Sequence, residues 1–472
     1  MQVKPSLYLE QQKPVYKKLL ARLLQEYPFA TILATEADAK IYQVSKGGTV
    51  VYVHDILSAS GTVIKVYDGK SYGECSLNEL SENNIDEVLS KVRSTLMPLA
   101  DGFSVNEYAQ LSDEPLTMHK STEYEIHPSD MGDEAIVEHI TSIRQSALDM
   151  DERLLDCNVF CNYQRYSKLF LSRNRDLEQN AMWMCGGMSL MAARGEEIKD
   201  YYKGFSNLGG AEVLQKMSAE VPNAVKTVIE LLDSEPIVPG EYECVCTPDV
   251  TGMIVHEAFG HGVEMDMFVK DRALAKSYVG KQVASPLVTM HDGAAVAKET
   301  ATCFFDDEGT TTGDTLIIDK GILVRGISDA QSAMFLGTPP TGNGRRESYL
   351  RKAYTRMTNT YFEGGTDSVE DMIASIKDGF LIDNPTSGME DPKNWGIQCM
   401  VNFARQIKDG KLTGKIFSPI VLTGYVPDLL KSITMMSPNV ELAGGGFCGK
   451  GYKEWVKVSD GGPYIKAKIR LG

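Results

Sequence analysis

The sequence predicts an α+β protein of two domains: an amino-terminal α/β domain with long helices over residues 1–235, and a strand-rich carboxy-terminal domain over 236–472. Three observations carry this reading. Apolar residues recur with helical spacing at roughly 7–27, 83–100, 130–150 and 210–233. Alternation with a period of two fills 30–76, 155–194 and most of the chain from 300 onward. Between the halves, Ser234-Glu235-Pro236-Ile237-Val238-Pro239-Gly240 sets two prolines and a glycine directly after a long helical stretch, which punctuates a boundary.

Taken in order, the early alternating stretch reads as paired strands, and 155–194 as a second set. Cys157 and Cys161 have aromatic and β-branched neighbours, so they belong to a strand and need no role beyond burial. Tyr242 to Cys246 alternates like a strand, with Cys244 and Cys246 on one face as core thiols. Pro248-Asp249-Val250-Thr251-Gly252 reads as a turn, and a helix is expected to start near Thr251. Asp319-Lys320-Gly321 and Lys408-Asp409-Gly410-Lys411 are hairpin signals that call for antiparallel strands in the carboxy-terminal part. Tyr452 to Val458 reads as a further strand.

Composition bounds the function without naming it. At 472 residues the chain can bury a large core without disulfide or metal support. Nine cysteines, an odd number with no framework spacing, favour a reducing cytoplasm. Residues 1–20 lack the apolar core of a signal peptide and no 18-residue apolar run occurs, so a soluble protein without membrane contact is expected. A net charge of −16 argues against direct binding of nucleic acid.

The helix after the turn holds the chemistry. His256-Glu257-Ala258-Phe259-Gly260-His261 puts two imidazoles and a carboxylate on one short segment. Neutral imidazole is a preferred zinc ligand, and a glutamate beside the first histidine can take a proton from a metal-activated water. The usual zincin motif spaces its histidines at i and i+4, whereas here they stand at i and i+5. Five residues of regular α-helix would leave the imidazoles roughly 140° apart around the axis, unable to share one ion. A π-type widening returns i and i+5 to one face, so the spacing predicts one between His256 and His261, eased by Gly260 and Gly262.

A zinc hydrolase needs a third protein ligand and an open position. Glu264, three residues after His261 on the same helical face, is one candidate, and Asp266 a weaker one. Cys448 is another, in the glycine-rich run Ala443-Gly444-Gly445-Gly446-Phe447-Cys448-Gly449-Lys450-Gly451. Composition does not choose among them. The same run imitates a phosphate-binding loop, but Gly451 stands where that loop needs Ser or Thr, and a strand rather than a helix is expected to follow. His54, His119, His127, His139 and His291 share no ligand-like spacing and read as structural or solvent-facing.

His256 to Glu264, reading HEAFGHGVE, occurs together with Asp307-Glu308-Gly309-Thr310, Thr341 to Ser348 (TGNGRRES), Arg356 to Thr360 (RMTNT) and Cys448-Gly449-Lys450. In this order they resemble the TldD/PmbA family of metallopeptidases, on the TldD side, since the PmbA (TldE) subunits lack the histidine pair. The resemblance runs from about residue 236 to the end, and the hairpin-like Gly61 to Gly73 adds to it in the amino-terminal half. It implies that the carboxy-terminal domain is the metallopeptidase domain carrying the zinc helix, that His256, His261 and Cys448 are the zinc ligands, and that Glu257 is the catalytic base. Glu264 then orients a ligating imidazole from behind. The segment Lys453 to Pro463 departs in detail from the family's closing strand, which bears on substrate preference and not on the metal.

The resemblance also implies a homodimer, or a heterodimer with a metal-free TldE/PmbA-like subunit, around an enclosed chamber that admits small or unfolded peptides. The family has been labelled a gyrase modulator as well, and the acidic net charge speaks against direct DNA contact. Arg345 and Arg346, in a polar loop, could hold a substrate carboxylate or carbonyl, or form structural ion pairs. The alternative from another class is a partner-binding subunit whose metal site is structural or vestigial, closed by Glu264 as a fourth ligand.

Overall fold

The computed structural model describes residues 1–96, 111, 113–451 and 453–472. It is mixed α and β, and its strands divide between sheets according to chain position. An eight-stranded sheet takes every strand from the amino-terminal part, in the order Tyr72–Leu77, Gly61–Tyr67, Phe29–Ser45, Leu154–Leu171, Arg175–Arg194 and Leu116–Ser121. Gly48–Val53 pairs alongside Phe29–Ser45, and Glu197–Asn207 alongside Arg175–Arg194. The helices Leu7–Glu26, Ile85–Thr95, Asp133–Leu148 and Val213–Leu231 bury their apolar stripes against this sheet. The last four residues expected in the second helix, 97–100, lie outside the described residues.

From Gly240 on, the strands build two larger sheets and two two-stranded ones. In one of the larger sheets, Asp378–Asp391, Gly240–Cys246, Ile465–Leu471, Ile420–Tyr425 and Gly396–Lys408 pair in succession, and Asp378–Asp391 pairs again with Gly396–Lys408, so the order closes on itself. Closure removes the exposed edges of those strands. The other, six-stranded, contains Met290–Asp292, Asn359–Phe362 and Ser459–Gly462. Both predicted hairpins form. Lys320 and Gly321 (φ 45° and 86°), and Asp409 and Gly410 (φ 49° and 75°), have the left-handed pairs a two-residue turn requires.

Four expectations need correction. Leu116–Ser121 and Glu197–Asn207 are strands that the alternation did not reveal, because their apolar residues are split between faces: Ile198 is exposed while Tyr201 is buried. The carboxy-terminal part is interrupted by helices at Ala330–Leu336, Val369–Ala374 and Val426–Lys431. Pro248 to Gly252 is not a turn but the opening of a helix over Pro248–Met253, with Thr247 as its cap; proline suits the first helical turn, where its missing N–H has no partner to lose. Of the strand expected at Tyr452 to Val458, only Val456–Lys457 forms, Lys453 to Trp455 are irregular, and Tyr452 lies outside the described residues.

Candidate metal centre

The helix that starts at Pro248 changes pitch as it reaches the histidines. Ile254–Gly260 is a π-helix, and the His261 backbone N–H bonds to the carbonyl of His256, five residues back. The extra residue in the turn is what brings both imidazoles to one side. Packing holds it there: Ile254, Val255, Ala258 and Phe259 are fully buried in a core shared with Trp395 and Cys399. Burying one such large side chain contributes roughly 1.5–3 kcal/mol, enough to offset a poorer turn. Gly260 is required by close approach, since a Cβ there would lie 2.2 Å from Met357 Sδ.

The imidazole rings stand 5.0 Å apart at 85°. Cys448 arrives from the hairpin of Phe447–Cys448 with Val456–Lys457, its Sγ 3.2 Å from His261 Nε2. One donor atom from each of His256, His261 and Cys448 lies within 4.8 Å of the others. Arg356, fully buried, donates to the Cys448 and Glu454 carbonyls and so fixes the hairpin from beneath.

The charges reinforce one another. Burial raises the Cys448 thiol, but His261 and then His256 outweigh it and bring the thiol down to about 5, so a thiolate is favoured at neutral pH. Burial lowers both imidazoles, and the neighbouring thiolate more than reverses this, lifting His261 well above its ordinary value. Behind His261, Glu264 Oε2 sits 3.4 Å from Nδ1. Its carboxylate is held well below the usual range, against burial, by Lys450, His261 and Arg356. Lys450 lies 3.2 Å and Arg356 3.3 Å from its oxygens.

His256 Nδ1 has no hydrogen-bond partner and faces Asp460 Oδ2 at 3.8 Å. Burial pushes the Asp460 carboxyl up to about 6, with His256 opposing the rise. The backbone makes room for it, because a Cβ on Gly252 would lie 2.6 Å from Asp460 Oδ1. Sequence reasoning gave no role to Asp460, Arg356 or Lys450. The available signal was a charged residue set among small or apolar neighbours.

Glu257 faces a cleft of about 1150 Å³ walled by Tyr202 to Ser206, Asn384 to Gly388 and Gly445 to Phe447, with His256, Asp249 and Asp460 also lining it. The Asp378–Asp391 strand passes so close that a Cβ on Gly388 would lie 2.4 Å from Glu257 Cγ. Beside it the Cys399 thiol is pushed up to about 12 by burial and then by Glu257, so it stays neutral. Neither Arg345 nor Arg346 lines this cleft. Arg346 gives its guanidinium to Glu74 at 2.5 and 2.7 Å, the structural ion pair that was one of its two readings. Arg345 bonds the Met357 carbonyl and borders a neighbouring cavity. Asp266, the weaker ligand candidate, is bound instead to Lys450 and Lys270.

Residues 239–470 match the PmbA/TldA metallopeptidase C-terminal domain. The chain belongs to the TldD/PmbA family of metallopeptidases. A metalloprotease of Methanocaldococcus jannaschii is 24% identical over 92% of both chains. A zinc metalloprotease TldD homolog of Saccharolobus solfataricus is 31% identical over 53% of this chain and 56% of its own. With it, seven relatives named metalloproteases align over only 44% to 66% of their own lengths. The fold is that of TldE from Thermococcus kodakarensis, at a TM-score of 0.74 and 17% identity over 97% of this chain and 100% of that one.

Proposed function

We propose that the chain is the metal-bearing, TldD-like member of its family, a zinc peptidase that hydrolyses small or unfolded peptides, with His256, His261 and Cys448 as ligands and Glu257 as base. The observation that carries this reading is a set of three converging donors beside a carboxylate that faces an open cleft. The donor chemistry fits zinc, since two imidazoles and a thiolate make a borderline-soft set of the right number for a catalytic site. The name of the Saccharolobus solfataricus relative supports the same metal.

Zinc held there would polarise a peptide carbonyl and lower the pKa of a water in its open position toward about 7. Glu257, which faces the cleft, is the residue that would accept a proton from water on a carboxylate oxygen and return it to the leaving amine. Gly388 keeps the opposing strand clear of that carboxylate. Glu264 accepts from His261 Nδ1–H and so leaves Nε2, which faces Cys448 Sγ, as the atom that would hold the metal. The Glu197–Asn207 strand pairs with one neighbour in its sheet among the described residues; Asn402 and Asn384 take its Asp200 and Tyr202 carbonyls, and the stretch beyond them, Lys203 to Ser206, walls the cleft where an extended peptide can be held through its backbone.

A closed structural site would need Glu264 as a fourth ligand, and its oxygens are engaged by His261, Lys450 and Arg356. We take the partner to be a second copy or a TldE-like subunit, which the shared fold supports. All nine cysteines are buried and unpaired, which fits a reducing cytoplasm. No helix among the described residues is long and apolar enough to cross a membrane. Chelation tests the metal: hydrolysis of an unstructured peptide is expected to stop on chelator treatment and return with zinc. Hydrolysis that persists after complete metal removal would reject the mechanism.

A further inference from the structure

A second cavity, of about 920 Å³, opens beside the cleft and shares Phe447 with it. Neither the three donor residues nor Glu257 lines it. Its walls join the two halves of the chain, with Tyr166 and Trp183 from the first sheet facing Arg345, Phe447, Trp455 and Lys457.

Most charges around this cavity cancel. Lys168 pairs with Asp307, Arg346 pairs with Glu74, and Glu347 accepts from the Trp455 backbone and pairs with Arg351. Asp306 is taken up by the backbone, its carboxylate accepting from the N–H groups of Glu308, Thr310 and Gly344. Two cations remain. Among the described residues, no carboxylate oxygen lies within 4.0 Å of Arg345 or Lys457.

Lys457 is fixed in the wall, its Nζ donating to the Gly445 carbonyl at 3.0 Å and lying 4.5 Å from the ring centroids of both Trp183 and Phe447. Arg345 gives one N–H to the Met357 carbonyl at 2.5 Å, which orients the guanidinium, and its other N–H groups have no protein acceptor among the described residues. An uncompensated guanidinium at an aromatic-walled cavity is unusual in a chain of net charge −16, where carboxylates outnumber cations. A planar fork of donors beside aromatic faces matches a carboxylate joined to an apolar group.

We propose that this cavity binds a carboxylate carried by an aromatic or large apolar group, with the carboxylate on Arg345 and the group against Trp183, Phe447 and Trp455. The C-terminal residue of a peptide and a free aromatic acid share that chemistry. The site uses none of the three donor side chains, and Phe447 and Lys457 reach it from the hairpin that carries Cys448.

Trp183 and Trp455 are two of the chain's three tryptophans, so their fluorescence reports occupancy. The full chain is titrated with N-acetylphenylalanine and with its uncharged amide, before and after metal removal. The acid is expected to give a saturable change that survives chelation. The amide, and the acid with Arg345→Ala, are expected to bind at least about tenfold more weakly, and Arg345→Lys to fall between. Equal binding of acid and amide overturns the proposal without any variant having to fold. Loss of the acid's binding on chelation also overturns it, by placing the ligand in the metal cleft. A hexapeptide ending in phenylalanine, tested as acid and amide on Glu257→Ala, separates the sources: binding of its acid form points to peptide C-termini, and binding of the small acid alone to a free aromatic acid.

Discussion

Glu390 shows how strongly the ground behind the metal helix disfavours negative charge. Both carboxyl oxygens are buried without a partner, and a Cβ on Gly262 would meet one of them at 2.8 Å. Burial, reinforced by Glu264 and Glu257 and opposed by His261, pushes this carboxyl up to about 9. The folded metal-free chain therefore keeps a proton that the unfolded chain loses above its ordinary value of 4.5. Stability falls as pH rises between those values, by up to roughly 1.4 kcal/mol per pH unit. Glu390→Gln removes the titrating group, so thermal unfolding of the metal-free variant is expected several degrees above wild type at pH 8 and close to it at pH 5. An equal difference at both values would deny the cause given. Glu264 sits on the other side of the balance, held ionised by Lys450, His261 and Arg356. Glu264→Gln is expected to weaken zinc binding by roughly 10- to 100-fold, measured by competition with a chelator.

At the scale of elements, the wide turn decides whether the histidines meet. Gly388→Ala tests the neighbouring strand: its Cβ needs the space of Glu257 Cγ, so peptide turnover is expected to drop by at least about tenfold while bound zinc stays constant. Loss of zinc together with turnover would instead indicate general disruption. The turn was legible in the sequence because the constraint is local, two histidines five residues apart and two glycines beside them. Cys448 was only one of three open candidates until the resemblance was drawn, because it meets His261 across 187 residues of chain. Asp460, Arg356 and Lys450 were invisible as partners for the same reason. The start of the helix was misplaced because proline signals both turns and first helical turns; the helix begins at Pro248, after Thr247, and not near Thr251. Strand Glu197–Asn207, which walls the cleft, went unread because its outward face is partly apolar.

In the whole molecule, the cleft lies where the first sheet meets the closed carboxy-terminal one. Asn384 Nδ2 donates to the Tyr202 carbonyl at 2.7 Å, and the Gly444 N–H to Ser206 Oγ at 2.8 Å, so the walls of the cleft are tied across the two parts. A cleft whose walls are held together by such ties admits a strand more readily than a folded domain. Unfolded peptides are expected to be degraded and tightly folded proteins spared, as a time course on one substrate in native and reduced, denatured forms would show. Sedimentation is expected to give twice the chain mass, or the sum with a TldE-like subunit when one is supplied. The most direct test of the central claim compares peptide hydrolysis by wild type and Glu257→Ala with zinc content measured on both. Equal zinc with hydrolysis by the wild type alone, at least about a hundredfold faster, is the predicted result. Equal hydrolysis by both proteins at equal zinc would contradict the role given to Glu257 and to the cleft it faces.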